Sequence, residues 1–350
     1  LEVTYLRVSP LLPGGGWTHT LSVVQNLRKH FEVDFIHRAP PHRIIPFFTE
    51  FIAQFLLLRR VKTEVVYLRH SIYCILTPFL EFSILEYNGS EAWVKRYWGR
   101  ARILLPLVWL CEAINIHFAD KFVVVSDVLK KELIGRGIGE EDILICPNGV
   151  DTNLFAPNAE GGLDARRTLG ISTSRIVIGF FGTFRPWHGA EDLAWVSGFF
   201  RHIYLMVGDG VMKPVLEKLF EESHTDVRWV GMVQHSFVPD YMNACDILVL
   251  PTKPNKDGSE FFGSPTKLFE YMAVGKCIVA SNVGVRGILS KENAVLYNPK
   301  DGILLALQRA IFNVNRKKLG KAARKRALDF TWEKTNKPLI EMIGAKLKNG

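Results

Sequence analysis

The sequence predicts an α/β protein of two doubly wound parallel-sheet domains facing a cleft, and three observations carry that expectation. Both halves of the chain alternate short β-branched runs with amphipathic helical stretches, the pattern of parallel sheets covered by helices. The 350 residues correspond to about two domains of ~150 residues, each large enough for its own core. Hydrophobic residues at 48% and charged residues at 23% lie in the ordinary globular range, which excludes a disordered chain, a collagen-like repeat and a disulfide scaffold.

In the first half the strand-like runs fall at 3–8, 33–37, 65–69, 83–87, 121–126 and 143–146. In the second they fall at 176–181, 204–207, 227–230, 247–250 and 277–280. The stretch 157–162 (PNAEGG) lacks periodicity and is rich in turn formers. It marks a linker between a first domain over 1–160 and a second over 161–330. Residues 331–350 have helical spacing and are expected to pack back across that boundary. Ligands of such sheets bind beyond the carboxyl ends of the strands, so the residues that follow each strand are the candidates.

Apolar runs such as 104–111 fall short of the ~20 residues that cross a bilayer, so no span is expected. The five cysteines form no CxxC pair and sit mostly in apolar runs, which points to a reducing cytoplasm. The net charge of +9 lies entirely in the second half: residues 1–160 hold 17 basic and 17 acidic side chains, residues 161–350 hold 27 and 18. Much of the excess is one cluster, Arg316, Lys317, Lys318, Lys321, Arg324, Lys325 and Arg326. It reads as a solvated helix face or, functionally, as a surface for anionic lipid. No recognition module accompanies it, so nucleic acid is not an expected partner.

The first motif, PGGGWTH at 13–19, follows a strand and precedes a helical pattern with Trp17, Leu21, Val24 and Leu27 on one side. Gly15 and Gly16 let the backbone approach a ligand, and the new helix aims its N–H groups at an anion; the alternative is a tight turn. Phe47, Phe48, Phe51, Phe55 and Leu58, followed by Arg59 and Arg60, read either as an interfacial amphipathic helix or as one buried against its own sheet. Arg69 and His70 close one strand; Asn88, Ser90 and Glu91 follow another, with Ser90 as a candidate helix cap. Residues 123–133 and 145–151 form a strand-helix-strand unit ending in the Asn148-Gly149 turn.

At 179–189 (GFFGTFRPWHG) a strand runs into Gly182 and then a basic, aromatic loop whose Arg185 and His188 could meet a diphosphate. The segment 263–276 (GSPTKLFEYMAVGK) says most. Pro265 suits a helix's first turn with Ser264 as cap, which directs N–H groups around Gly263, Ser264 and Thr266 toward a ligand. Lys267 and Glu270 share one face. They read as a surface ion pair or, functionally, as a phosphate-binding cation and a ribose-binding carboxylate. No two histidines stand four apart, no two aspartates are separated by one residue and no GxSxG occurs, which weakens zincin, DxD-metal and serine-hydrolase readings.

Taken in order, GGGWTH, EYNGSE, VVVSDVLKKEL, PNGVDTNLF, GTFRPWHG, VGDG, VGMVQHSFVPDYMNACDILVLP and SPTKLFEYMA resemble the retaining glycosyltransferases of the GT-B fold. The resemblance spans nearly the whole chain. It implies two Rossmann-like domains, a nucleoside-diphosphate sugar held mostly by the second, and a glycan or lipid-linked acceptor held mostly by the first. It implies donor contacts from Gly15, Gly16, Gly182, His188, Gly263, Ser264, Thr266 and Glu270, and catalytic contacts from Lys267, Arg185 and Asn88. His19, Arg69, His70 and Glu91 are the acceptor-side candidates. Glu270 matches the second of the family's paired glutamates, but Phe262 stands where the first belongs. That departure leaves the donor sugar to the backbone of 262–264 or to Glu260. Thr183 and His188 stand where the family has Arg and Lys, and Asn88 where many relatives have His.

Expelling a nucleoside diphosphate places about two negative charges on the leaving group, and useful catalysis needs roughly 8 kcal/mol or more of barrier reduction. One helix end contributes at most ~2 kcal/mol and each charge-assisted bond ~1.5–3 kcal/mol. Lys267, Arg185, a protonated His188 and the loop amides together suffice without a metal or other cofactor. Two alternatives compete: a nucleotide-sugar epimerase of the same architecture, which would want more cleft carboxylates, and a binding-only relative. Peripheral contact with an anionic membrane completes the expected partners.

Overall fold

The computed structural model describes residues 2–8, 14–37, 46–71, 74–89, 103, 105–255 and 258–349. They divide into two compact units: Leu1–Asn148 with Phe262–Ser264 and Trp332–Gly350, and Gly149–Phe261 with Pro265–Thr331.

The first unit runs β1 (Glu2–Arg7), α1 (Gly15–Leu27), β2 (Glu32–His37), α2 (Pro46–Leu58), β3 (Val65–Arg69), β4 (Phe82–Tyr87), α3 (Leu105–Phe118), β5 (Lys121–Val124), α4 (Asp127–Gly135) and β6 (Ile143–Ile145). All six strands are parallel, in the order β2-β1-β3-β4-β5-β6. The strands are apolar on both faces because helices cover both. Leu6, Val66, Leu68, Leu85, Phe122 and Val124 pack on one side, and Val3, Tyr5, Val65, Tyr67, Ile84 and Val123 on the other. The fifth strand stops at Val124 rather than Ser126 because Ser126 caps α4, its side chain accepting from the Leu129 N–H.

The second unit runs α5 (Ala159–Thr168), β7 (Val177–Phe181), α6 (Ala190–Ser197), β8 (Ile203–Val207), α7 (Lys213–Glu222), β9 (Asp226–Gly231), α8 (Val238–Ala244), β10 (Ile247–Leu250), α9 (Thr266–Ala273), β11 (Cys277–Ser281), β12 (Val295–Tyr297), α10 (Leu304–Gln308) and α11 (Arg316–Ala327). Its sheet is also parallel, ordered β12-β11-β10-β7-β8-β9. The strand β12 escaped the sequence reading because three residues carry too little periodicity. The expected linker at 157–162 is instead the start of α5: the Asn158 side chain accepts from the Gly161 N–H and caps the helix. The division between units falls at Asn148 and Gly149.

The chain then returns to the first unit through α12 (Trp332–Thr335) and α13 (Lys337–Asn349). Trp332, Leu339 and Ile343 are buried with Tyr5 and Tyr67 in that unit's core.

All five cysteines are buried and unpaired. Burial pushes the Cys74, Cys146 and Cys277 thiols up to about 12, where they act as small apolar groups. In the basic cluster, Arg324 donates to the carbonyls of Thr152, Phe155 and Ala273, and Arg316 to those of Ala310 and Ile311. These two arginines brace the fold, while Lys317, Lys318, Lys321 and Lys325 are exposed.

Candidate functional site

Each sheet reverses direction once, between β1 and β3 in the first unit and between β7 and β10 in the second. Such switch points open a crevice at the strands' carboxyl ends. In the second unit, β7 delivers Gly182 there, with φ +120°, a region that favours glycine. Gly208, after β8, also has positive φ (+127°), and a Cβ on it would stand 2.1 Å from the Gly182 carbonyl oxygen. The two loops cross at backbone contact: the Gly182 N–H donates to Val207 O and the Phe184 N–H to Asp209 O, both at 2.9 Å.

Lys267, in the first turn of α9, points its Nζ at this crossing, 4.4 Å from the Phe180 ring centroid. A Cβ on Gly182 would lie 3.4 Å from that Nζ. The Nζ is buried and has no hydrogen-bond partner among the described residues. Burial lowers its pKa to about 7, although the Glu270 charge opposes the shift. The surface ion pair read from the i,i+3 spacing does not form. The Glu270 Oε1 lies instead 3.0 Å from Nε2 of His235, which follows β9. Glu270 is buried, and its hydrogen bond raises the His235 pKa above the ordinary value.

His188 is held otherwise than expected. Its Nδ1 meets the Thr183 carbonyl, and burial together with the Lys267 charge holds it well below the ordinary histidine range. The ring is neutral at pH 7 and cannot supply the positive charge assigned to it. Arg185 is exposed, its guanidinium 6.0 Å from the Trp187 ring, and makes no contact with Lys267 among the described residues. Nor does Ser264 cap α9. Pro265 holds the capping position, while the Ser264 hydroxyl accepts from the Asn148 N–H at 3.1 Å and its carbonyl accepts from the Asn148 amide. Thr266 opens the helix.

In the first unit the register Arg7↔Arg69↔Glu86 sets three charged side chains in one row across β1, β3 and β4. Two residues back, Tyr5 and Tyr67 stack at 5.0 Å. Glu86, fully buried, gathers the row: Arg69 Nη1 lies 2.5 Å from Oε1, and the Tyr67 hydroxyl donates to Oε2 at 3.0 Å. His19 Nε2 and Asn88 Nδ2 also reach Oε1, each at 3.1 Å. Burial opposes ionisation of Glu86, but Arg69 and His19 outweigh it and hold the carboxyl well below the usual carboxylate range. Three expected residues, His19, Arg69 and Asn88, thus converge on one carboxylate.

Gly15 and Gly16 open α1 behind Gly14, which has no capping side chain. A Cβ on Gly16 would lie 4.0 Å from the Nη2 of both Arg7 and Arg69. Arg7 Nη1 donates to the Gly16 carbonyl at 3.3 Å and to Thr20 Oγ1 at 2.7 Å. Burial and the Arg69 charge lower the Arg7 pKa to about 10. Of α1, Trp17 is exposed, while His19, Thr20, Val24 and Leu27 are buried. The His70 ring is buried, which lowers its pKa to about 4. Ser90 and Glu91 lie outside the described residues. Phe262 packs in the first unit's core and its carbonyl accepts from the Ser126 hydroxyl at 2.7 Å, so it is a packing residue; Gly263 lies between it and Ser264.

Glu86, Arg7 and His235 were missed. Glu86 and Arg7 sit inside apolar strands, where alternation signals only burial. His235 opens the short 3-10 turn His235–Phe237 within the family-like stretch VGMVQHSFVPDYMNACDILVLP, where nothing in the spacing singles it out. Of α2, Leu57 is buried while Ile52 and Leu56 are exposed. No described helix is long and apolar enough to cross a membrane, and no described group of three or more His, Cys, Asp or Glu could hold a metal ion.

Two parallel doubly wound sheets, with a buried cation and a buried carboxylate one helical turn apart in the second, define the class of two-unit, Rossmann-like α/β proteins. Within it, residues 175–313 match the family described as Glycosyl transferases group 1, and residues 44–154 match Glycosyltransferase Family 4; together the two matches indicate a GT-B glycosyltransferase. It is 27% identical over 219 residues, 60% of this chain and 53% of the relative, to the Bacillus subtilis (strain 168) protein named as teichuronic acid biosynthesis glycosyltransferase TuaH. It is 24% identical over 202 residues, 55% and 47% of the two chains, to the UDP-Gal:alpha-D-GlcNAc-diphosphoundecaprenol alpha-1,3-galactosyltransferase of Escherichia coli. The chain spans about half the length of these curated relatives. Its fold is like that of sucrose-phosphate synthase from Thermosynechococcus elongatus, at TM-score 0.78 and 18% identity over 100% of this chain and 99% of that one.

Proposed function

We propose that the chain transfers a sugar from a nucleoside-diphosphate sugar to a glycan or lipid-linked acceptor, with retention at the anomeric carbon and without a metal or other cofactor, in cell-surface polysaccharide or glycolipid synthesis. One observation carries the reading: the buried Nζ of Lys267, without a hydrogen-bond partner among the described residues, against the Gly182 loop, with Glu270 one turn along the same helix. A buried lysine amine without a partner is costly in the empty protein and gains a charge-assisted bond when an anion arrives.

In this reading the diphosphate lies against Lys267 and the amino end of α9, and Glu270 accepts from the ribose hydroxyls. The bond from the sugar carbon to the β-phosphate oxygen breaks, the acceptor oxygen bonds to the same face of that carbon, and its proton passes to the leaving phosphate oxygen. In the first unit Glu86 holds His19 and Arg69, the acceptor-side candidates, together with Asn88. The relative named as transferring galactose from UDP-Gal to a diphosphoundecaprenol-linked sugar supports both a nucleotide donor and a lipid-linked acceptor. A cytoplasmic enzyme at an anionic membrane fits the exposed Ile52 and Leu56 beside Arg59 and Arg60. The epimerase alternative gains no support from relatives that are all glycosyltransferases.

The test is a thermal-shift panel of UDP-, GDP-, ADP- and dTDP-sugars, followed by nucleoside-diphosphate release with and without acceptors. The reading expects at least one nucleotide-sugar to raise Tm, and Lys267→Ala to abolish the shift. A panel in which none binds overturns it.

A further inference from the structure

We infer that His235 is a positioning residue that couples nucleotide-sugar binding to a proton, by holding the carboxylate of Glu270 with which the ribose must bond. The inference rests on the proposed role of Glu270. Glu270 is buried with its Oε1 3.0 Å from His235 Nε2, whereas the imidazole is nearly half exposed, at 46%. The ring's apolar face lies against Phe155, centroids 5.1 Å apart. Among the described residues, the charged groups that act on the pair include Asp151, from the turn before α5, which favours the imidazolium, and Lys267 on the same helix as Glu270.

A carboxylate offers about four lone-pair sites, and a ribose diol needs two of them in one orientation. Neutral His235 gives the Glu270 carboxylate one hydrogen bond and fixes its rotamer. Protonated, it adds a full positive charge to that bond and draws charge away from the oxygens the diol must use. Binding of the diol therefore favours the neutral ring, and by linkage it releases a proton. Affinity falls as pH drops through the His235 pKa, by about tenfold for each pKa unit that binding shifts.

The test takes the nucleotide-sugar that raises Tm most; an intact sugar ester has no terminal phosphate whose own titration would confuse the profile. Calorimetry from about pH 8 to about pH 6, in buffers of different ionisation enthalpy, compares the parent with His235→Gln, because the Lys267 amine, with a pKa of about 7, takes up a proton in the same window in both proteins. The parent's ratio of Kd at the lower to the upper pH is expected to exceed that of His235→Gln by about tenfold, with more proton released on binding by the parent than by the variant. The same slope and the same proton count in His235→Gln as in the parent overturn the inference. If instead Glu270→Ala binds the nucleotide-sugar as tightly as the parent, the ribose role of Glu270 fails, and the inference with it.

Discussion

Arg69 and Glu86 stand opposite each other on neighbouring parallel strands, with Nη1 2.5 Å from Oε1 and the carboxylate fully buried. Removing one partner leaves an uncompensated buried charge, which costs about 3–5 kcal/mol. Glu86→Gln is expected to lower stability by that order in urea unfolding. The folded pKa lies below the ordinary 4.5, so the stabilisation is complete above that pH and is lost progressively as pH falls beneath it. The parent should therefore lose stability in acid more steeply than Glu86→Gln.

Lys267 gives a slope of the same sign in a higher pH window. Its folded pKa is about 7 against an ordinary 10.5, so between those values the unfolded chain binds the extra proton and stability rises with pH. Lys267→Met is expected to remove that rise and to fold at least as stably as the parent at neutral pH. Turnover is expected to fall by about 10²-fold or more. A variant that is both stable and fully active would remove the charge from the mechanism.

The crossing at Gly208 leaves no room for a side chain. Gly208→Ala places a Cβ 2.1 Å from the Gly182 oxygen in a positive-φ residue, and is expected to cost at least about 1–3 kcal/mol and to weaken nucleotide-sugar binding by displacing the Gly182 loop. Gly302→Ala is the control: its φ is +74° but nothing lies within 4 Å of the new Cβ. Denaturant unfolding should show the smaller loss there, with binding unchanged.

Trp332 packs edge-on to His19 at 5.8 Å, within the first unit's core. Trp332→Ala is expected to destabilise that unit by about 3–5 kcal/mol, and deleting 332–350 to leave it unable to fold. Limited proteolysis would show cleavage within 1–148 rising first.

The membrane reading has its own test. Vesicles containing anionic lipid are expected to retain the protein at low ionic strength and release it as salt rises. The double variant Ile52→Glu, Leu56→Glu should float free in both conditions. Retention of that variant would locate the contact elsewhere.

Much of this was legible in the chain itself. Eleven of the twelve described strands show as apolar runs because parallel strands buried on both faces can hold little else. That Lys267 and Glu270 lie on one helix was legible from the segment's helical pattern. Two readings failed because a short polar string has several uses: PNAEGG capped a helix rather than joining domains, and Ser264 bonded Asn148 rather than capping α9.

The order of residues alone determined the class of sheet, the helices that cover it and which loops follow strands, since these depend on local periodicity and burial. Tertiary structure alone decided the partners: that Glu270 meets His235 rather than Lys267, that His188 is neutral, and that Glu86 collects His19, Arg69 and Asn88. Pairings between residues tens of positions apart arise from strand register and loop crossing, which place side chains to within a hydrogen-bond length and set their charges by burial, and neither is written in the spacing of any one segment.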